Sequence, residues 1–365
     1  MEDATWGRRM RVGMLLLLEG FIILLFGGIP AVLTFMDIQG FPYPLPTTFF
    51  EFHWFVMIYG FFLTIIGNEI LVALSMEWKG EQAPDYYVIG FAITVLISLL
   101  LSSTPYSFYL VLLALGMLIY HSRIYLSPSK LGLRPTTYNY LLFVTLIVTV
   151  FVTAFQIFLD SPWISLIFPT LTIFSVMSRD IGLVFGGRLI KDKEIVFAYV
   201  FLLIGLLVYP NWISSLLIFA GWFFSFHGSG LIRARGRVYP KVSLSIAWIW
   251  LLLSSVFSIT NYDAFIHTIA VGFLFNTVFG VDVVLIDMLI SATGVHVKVK
   301  PSYIPIVLLN LGLLTRVIFD MGVTFPLLLL SAPLQGIGIL SFYLNTFRQV
   351  FRQLRKTPQI EKRVQ

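Results

Sequence analysis

The chain has 365 residues, of which 58% are hydrophobic and 12% charged, with a mean hydropathy of +0.92. Soluble domains carry roughly 25% charged residues, so this composition excludes an ordinary water-facing surface. The net charge of +6 sits in short loops between apolar runs, which points to membrane topology and away from nucleic acid.

There are no cysteines, which removes disulfides, thiolate ligation, iron–sulfur clusters and thioether-linked haem. Any metal or cofactor therefore depends on five histidines, His53, His121, His227, His267 and His296.

Lipid offers the backbone no hydrogen-bond partners, so spanning segments are helices or closed barrels, and these runs are too long for barrel strands. The expected fold is an all-α, polytopic bundle of about twelve transmembrane helices. Their starts are expected near Val12, Thr48, Tyr87, Tyr106, Tyr138, Trp163, Ile195, Trp212, Val242, Phe265, Ile304 and Thr324. The first run, Val12 to Phe35, is longer than a signal-peptide core and lacks a small-residue cleavage site, so it is read as a retained span.

Charge tests that count. Lys and Arg total 24, and all but Arg316 fall before the first span, after even-numbered spans or in the tail. Loops after odd-numbered spans hold none, which places both termini in the cytoplasm. Residues 1–345 form one membrane domain in this scheme, and residues 346–365 a basic cytoplasmic tail. In that tail Phe347, Phe351 and Leu354 alternate with Arg348, Arg352 and Arg355 at helical spacing. A helix on anionic lipid headgroups and a solvated last turn both suit the pattern.

The topology sets the depth of the polar residues. His53 opens the second span and His267 the tenth, both at the outer end, and Arg316 in the eleventh lands in the outer half too. Ionisable groups at membrane depth are costly, so they are functional candidates. Two imidazoles can hold a b-type haem iron axially, and an arginine pairs well with a propionate. The plainer alternatives are histidines donating to backbone carbonyls and Arg316 pairing with Asp320 one turn on.

A deeper level follows. Asn68 and Glu69 come 15 and 16 residues after His53, and Asp282 comes 15 after His267. At ~1.5 Å per residue they lie ~22–24 Å further in. With Glu19 and Asp287, Glu69 and Asp282 are candidates for a proton path; each could equally be protonated or paired at the inner rim. His121 and His227 lie near the inner face, as ligands of a second haem or as interfacial residues.

The segment His53–Phe61 resembles the H-A-H-E-M-x-x-G-F motif of NnrS-type haem-copper membrane proteins, matching at His53, Met57, Gly60 and Phe61. Phe55 and Val56 replace its second His and its Glu. Gly186-Gly187-Arg188-Leu189-Ile190 is similar to that family's G-G-R-x-I-P segment, and Ile266-His267-Thr268-Ile269-Ala270-Val271-Gly272 to its L-H-A-L-T-V-G-A segment. Ser245 stands where another histidine aligns, and Arg316 matches an arginine of the eleventh span. The likeness extends to haem-copper oxidase subunit I, whose low-spin haem is held by histidines of the second and tenth spans. Spans six and seven, which carry that superfamily's copper ligands, have no histidine here.

The resemblance implies a b-type haem protein of the cell membrane with His53, His267 and Arg316 at its site. It further implies a role in electron transfer or the nitric oxide response, with a respiratory or electron-donor partner but no complete copper centre. The residues alone leave two other expectations: a proton-coupled permease using the buried carboxylates, or an anchor subunit of a respiratory complex.

Overall fold

The computed structural model describes residues 2–38, 52–78, 81–159, 161–185, 191–291, 299–323 and 329–364. His296, the Gly186–Ile190 segment and the expected starts at Thr48 and Thr324 lie outside them.

Among the described residues there is no strand, and the chain folds into twelve helical rods. They are α1 (Glu2–Ile38), α2 (His53–Trp78), α3 (Asp85–Leu100), α4 (Tyr106–Ser122), α5 (Thr137–Gln156) and α6 (Pro162–Leu166 continuing as Ile167–Phe185). Then come α7 (Asp192–Leu207), α8 (Trp212–Ser229), α9 (Val238–Thr260), α10 (Tyr262–His267 continuing to Ser291), α11 (Ile304–Asp320) and α12 (Ser331–Val364).

Seven rods, α1, α2, α4, α5, α8, α9 and α10, are long and apolar enough to cross a membrane. The other five fall short of that criterion for physical reasons. Helices α3, α7 and α11 have 16, 16 and 17 residues, so they extend only about 24–26 Å against a hydrocarbon core of about 30 Å. The apolar stretch of α6 is likewise short, and α12 carries its basic residues within the helix, unbroken through the expected boundary at 345/346. Phe26, Leu100 and Phe158 are 76–82% exposed, an apolar exterior suited to lipid.

Contacts between helix ends show that the rods alternate in direction. At one end, Trp163 of α6 packs on Tyr209 beyond α7 and on Tyr262 of α10. At the other, Lys191 N bonds Gly228 O, Arg237 pairs with Asp287, and Gln349 clamps both backbone groups of Lys300. Helix α8 stops at Gly230, whose φ of +63° is left-handed and favours glycine.

Helices α2 and α10 form the centre. Their apolar windows are 78% and 72% buried, against 33% for α1, α4 and α8. Both contain π-helical turns, Val56–Phe62 and Glu69–Ala73 in α2 and Thr268–Phe275 in α10. Such wide turns are rare and concentrate at functional sites. The two helices meet through a stacked pair, Phe61 on Phe275, with ring centroids 5.4 Å apart.

Candidate functional site

Helix α1 approaches α2 along Gly13, Gly20 and Gly27, spaced seven residues apart. A Cβ at Gly27 would lie 2.8 Å from Val56 Cγ1, so no larger residue fits without displacement. That approach brings the Gly27 carbonyl to His53, whose Nδ1 is 2.9 Å from it. A carbonyl only accepts, so Nδ1 carries the proton and Nε2 the lone pair.

His267 repeats the arrangement within its own helix, with Nδ1 2.9 Å from the Asp263 carbonyl and 3.4 Å from Asp263 Oδ2. Each histidine stands at the threshold of a π-helical stretch. His53 lies within electrostatic reach of His267, Arg316 and Asp263. The three residues singled out from sequence therefore converge at one end of the bundle. Protein surrounds both imidazoles, yet neither is covered, and His267 keeps 21% of its side-chain surface.

Arg316 is held by carboxylates on two helices. Its Nε and Nη2 donate to Asp263 Oδ2 at 3.0 and 2.5 Å, and Nε also to Asp320 Oδ1 at 3.2 Å. The pair with Asp320 has the spacing expected one turn apart, while Asp263 was not anticipated. With two acids on one guanidinium, Arg316 positions Asp263, and through it His267, and its charge is already balanced. Asn261 completes the corner, accepting from Ala264 N at 2.9 Å and donating to Asp320 O at 2.6 Å.

Below the histidines, Asn276 and Asn310 form a reciprocal amide pair that also accepts from Trp250 Nε1 at 2.6 Å. Asn276 donates to Gly272 O at 2.7 Å, satisfying a carbonyl in the π-helical stretch. Gly272 is needed there, because a Cβ would sit 2.5 Å from Trp250 Cγ.

The candidate proton-path residues are spread over three helices, α1, α2 and α10. Asp287 is buried, accepts from Arg237 at 2.7 Å and from Val299 N at 2.6 Å, and fastens the end of the bundle opposite the histidines. Glu19 has a buried oxygen without a hydrogen bond in α1. Glu69 opens the second π-helical turn, and Asp282 lies on α10 near Tyr239 and Tyr343.

His121 and His227 have separate environments. His121 is buried, with Nε2 3.0 Å from Ser75 Oγ in a cluster with Tyr125. His227 is exposed, stacks on Phe223 and pairs with Glu194 at 2.5 Å. Among the described residues, no group of three or more His, Cys, Asp or Glu could hold a metal ion. A haem iron asks the protein only for axial ligands, and two suffice.

Gly27, Asp263 and Asn261 were missed from sequence. The seven-residue glycine spacing was the one available signal for Gly27. Comparison of the chain with family models, curated proteins and solved structures found no match.

Proposed function

We propose that the chain is a cell-membrane protein crossing the bilayer twelve times, with both termini cytoplasmic, and that His53 and His267 hold one b-type haem near the outer face. The observation that carries this is the matched pair of imidazoles. Each is fixed through Nδ1 to a backbone carbonyl, and the two lie within electrostatic reach of each other. Metal-ligating histidines are held in this way, because the second nitrogen's bond sets tautomer and ring direction. The residues present therefore fit the group.

A haem held by two imidazoles supplies one reversible electron at a site closed to substrate ligation. The chain's own part is to orient the rings, through Gly27 for His53 and through the Asp263–Arg316 pair for His267. Electron transfer within a respiratory or nitric-oxide-response system is the function this supports, with a membrane partner as donor. Catalysis at copper forms no part of it.

Reduced-minus-oxidised absorption spectra of protein expressed with ample haem decide the matter. The expected result is a low-spin haem signal, lost in His53→Ala and in His267→Ala and kept in His227→Ala. A folded protein without a Soret band, or a signal indifferent to both substitutions, overturns the assignment.

A further inference from the structure

The loop joining α8 to α9 displays charge and apolar surface side by side at the basic end of the bundle. Arg233 and Arg235 are exposed, and among the described residues neither pairs with an acid. Arg237, two residues on, differs, because Asp287 holds it. Ile232, next to Arg233, is 72% exposed. Apolar surface gains from leaving water, so a side chain this open suits an acyl layer.

The loop holds that display rigidly. Leu231 and Ala234 are buried, which leaves Ile232, Arg233 and Arg235 on the outer side. Arg233 N donates to Gly230 O at 2.9 Å and Ala234 N to Leu231 O at 3.2 Å, closing a tight turn directly after the left-handed Gly230. Lys241 of α9 reaches back to the carbonyls of Ile232 and Ala234, at 3.4 and 3.2 Å. An ammonium has three hydrogens, so one remains for a ligand beside the turn. Three cations are thus fixed on or against one short segment.

A strip of aromatic rings leads to it. Helix α8 packs on α9 where Trp248 Nε1 donates to Ser225 Oγ at 2.9 Å. Trp222 and Phe226, three residues before and one after Ser225, lie beside that contact and stack at 5.8 Å with 9° between their planes. Phe219 adjoins Trp222 at 5.5 Å and is 46% exposed. Phe226 precedes the turn by five residues.

We propose that this corner binds one anionic phospholipid, with its phosphodiester among Arg233, Arg235 and Lys241 and an acyl chain along Phe219, Trp222 and Phe226. Charge complementarity selects that occupant. Guanidinium forks match phosphate oxygens, whereas a zwitterionic headgroup brings an ammonium that three cations repel. The site rests on the chain crossing a bilayer and does not depend on haem.

Native mass spectrometry of the purified full-length protein in detergent, with dioleoyl phosphatidylglycerol or dioleoyl phosphatidylcholine added, tests this. Phosphatidylglycerol should bind in preference to phosphatidylcholine and raise the melting temperature. The double variant Arg233→Gln, Arg235→Gln should bind it about 30-fold more weakly, since each surface basic residue contributes about fivefold. Arg134→Gln, in the loop between α4 and α5, should leave binding unchanged, and soluble glycerol phosphate should not compete. Equal retention of the two lipids, indifference to the double variant, or an equal loss in Arg134→Gln overturns the proposal. Displacement by glycerol phosphate overturns it too, since the ligand is then a free phosphate ester.

Discussion

His53 donates to the carbonyl of Gly27 at 2.9 Å, and the bond exists because Gly27 has no side chain to hold α1 away from α2. Gly27→Val should therefore separate the helices, lower stability by about 1–3 kcal/mol as overpacking generally does, and release the His53 ring. Thermal unfolding in detergent gives the first effect, and haem absorbance the second. Because the obstruction is Val56 Cγ1, Gly27→Ala with Val56→Ala should recover most of what Gly27→Ala loses; simple additivity of the two would refute the contact.

Arg316→Met leaves Asp263 and Asp320 facing each other without their cation. Removing one partner from a buried pair costs about 3–5 kcal/mol, and the 42% exposure of the Asp263 side chain puts this case toward the lower figure. Arg316→Lys should rescue little, since a single ammonium cannot replace a fork reaching two helices. Melting temperatures of the two variants in the same detergent test both statements.

Asn310→Leu strands the Trp250 indole N–H and one side of the Asn276 amide at the junction of α9, α10 and α11. The expected loss is about 1–3 kcal/mol per unpaired group. Tryptophan fluorescence should report the released indole, and an unchanged melt would show the amides to be dispensable.

At the basic end of the bundle, burial would raise the Glu194 carboxyl, but hydrogen bonds from Lys191 and His227 outweigh it and hold the group below its ordinary value of 4.5. The α7–α8 contact is thus fully stabilising above that value and weakens as pH falls through the lower, folded-state one. The effect should stay under about 1 kcal/mol, as for other solvent-screened pairs. With the intrinsic pH dependence of exchange divided out, protection at the α7–α8 junction should fall on acidification in the native chain, and Glu194→Gln should flatten that dependence.

The absence of cysteine makes sidedness simple to measure, because one introduced thiol is the only one present. Lys130→Cys should react with an impermeant reagent only from the cytoplasmic face, and Ser103→Cys only from the opposite one. Labelling of both from one side would remove the twelve-span scheme.

Much of the helix pattern was legible because burial in lipid writes itself as apolar run length. Expected starts at Tyr106, Trp212 and Ile304 coincide with observed first residues, and Tyr87 and Tyr138 fall within two residues of theirs. Span number was harder to read, since α7 and α11 are too short by themselves and only charge parity argues for them. The convergence of His53, His267 and Arg316 followed from depth alone. Their partners did not, because Gly27 acts through a carbonyl every residue possesses, and Asp263 reads as one more acid in a connecting turn. The π-helical turns leave no trace in composition, since they depend on how neighbouring side chains interlock.

Helices α2 and α10 share a spacing of 214 residues: His53 with His267, Phe61 with Phe275, Asn68 with Asp282. Since the two run parallel and meet at the middle pair, a local pseudo-twofold axis passes between them along the bundle. It is confined to their facing surfaces, because His53 leans on a neighbouring helix and His267 on its own. A flat guest placed edge-on along that axis would meet an imidazole and then a phenyl ring from either side, and the two faces would part company at Asn68 and Asp282.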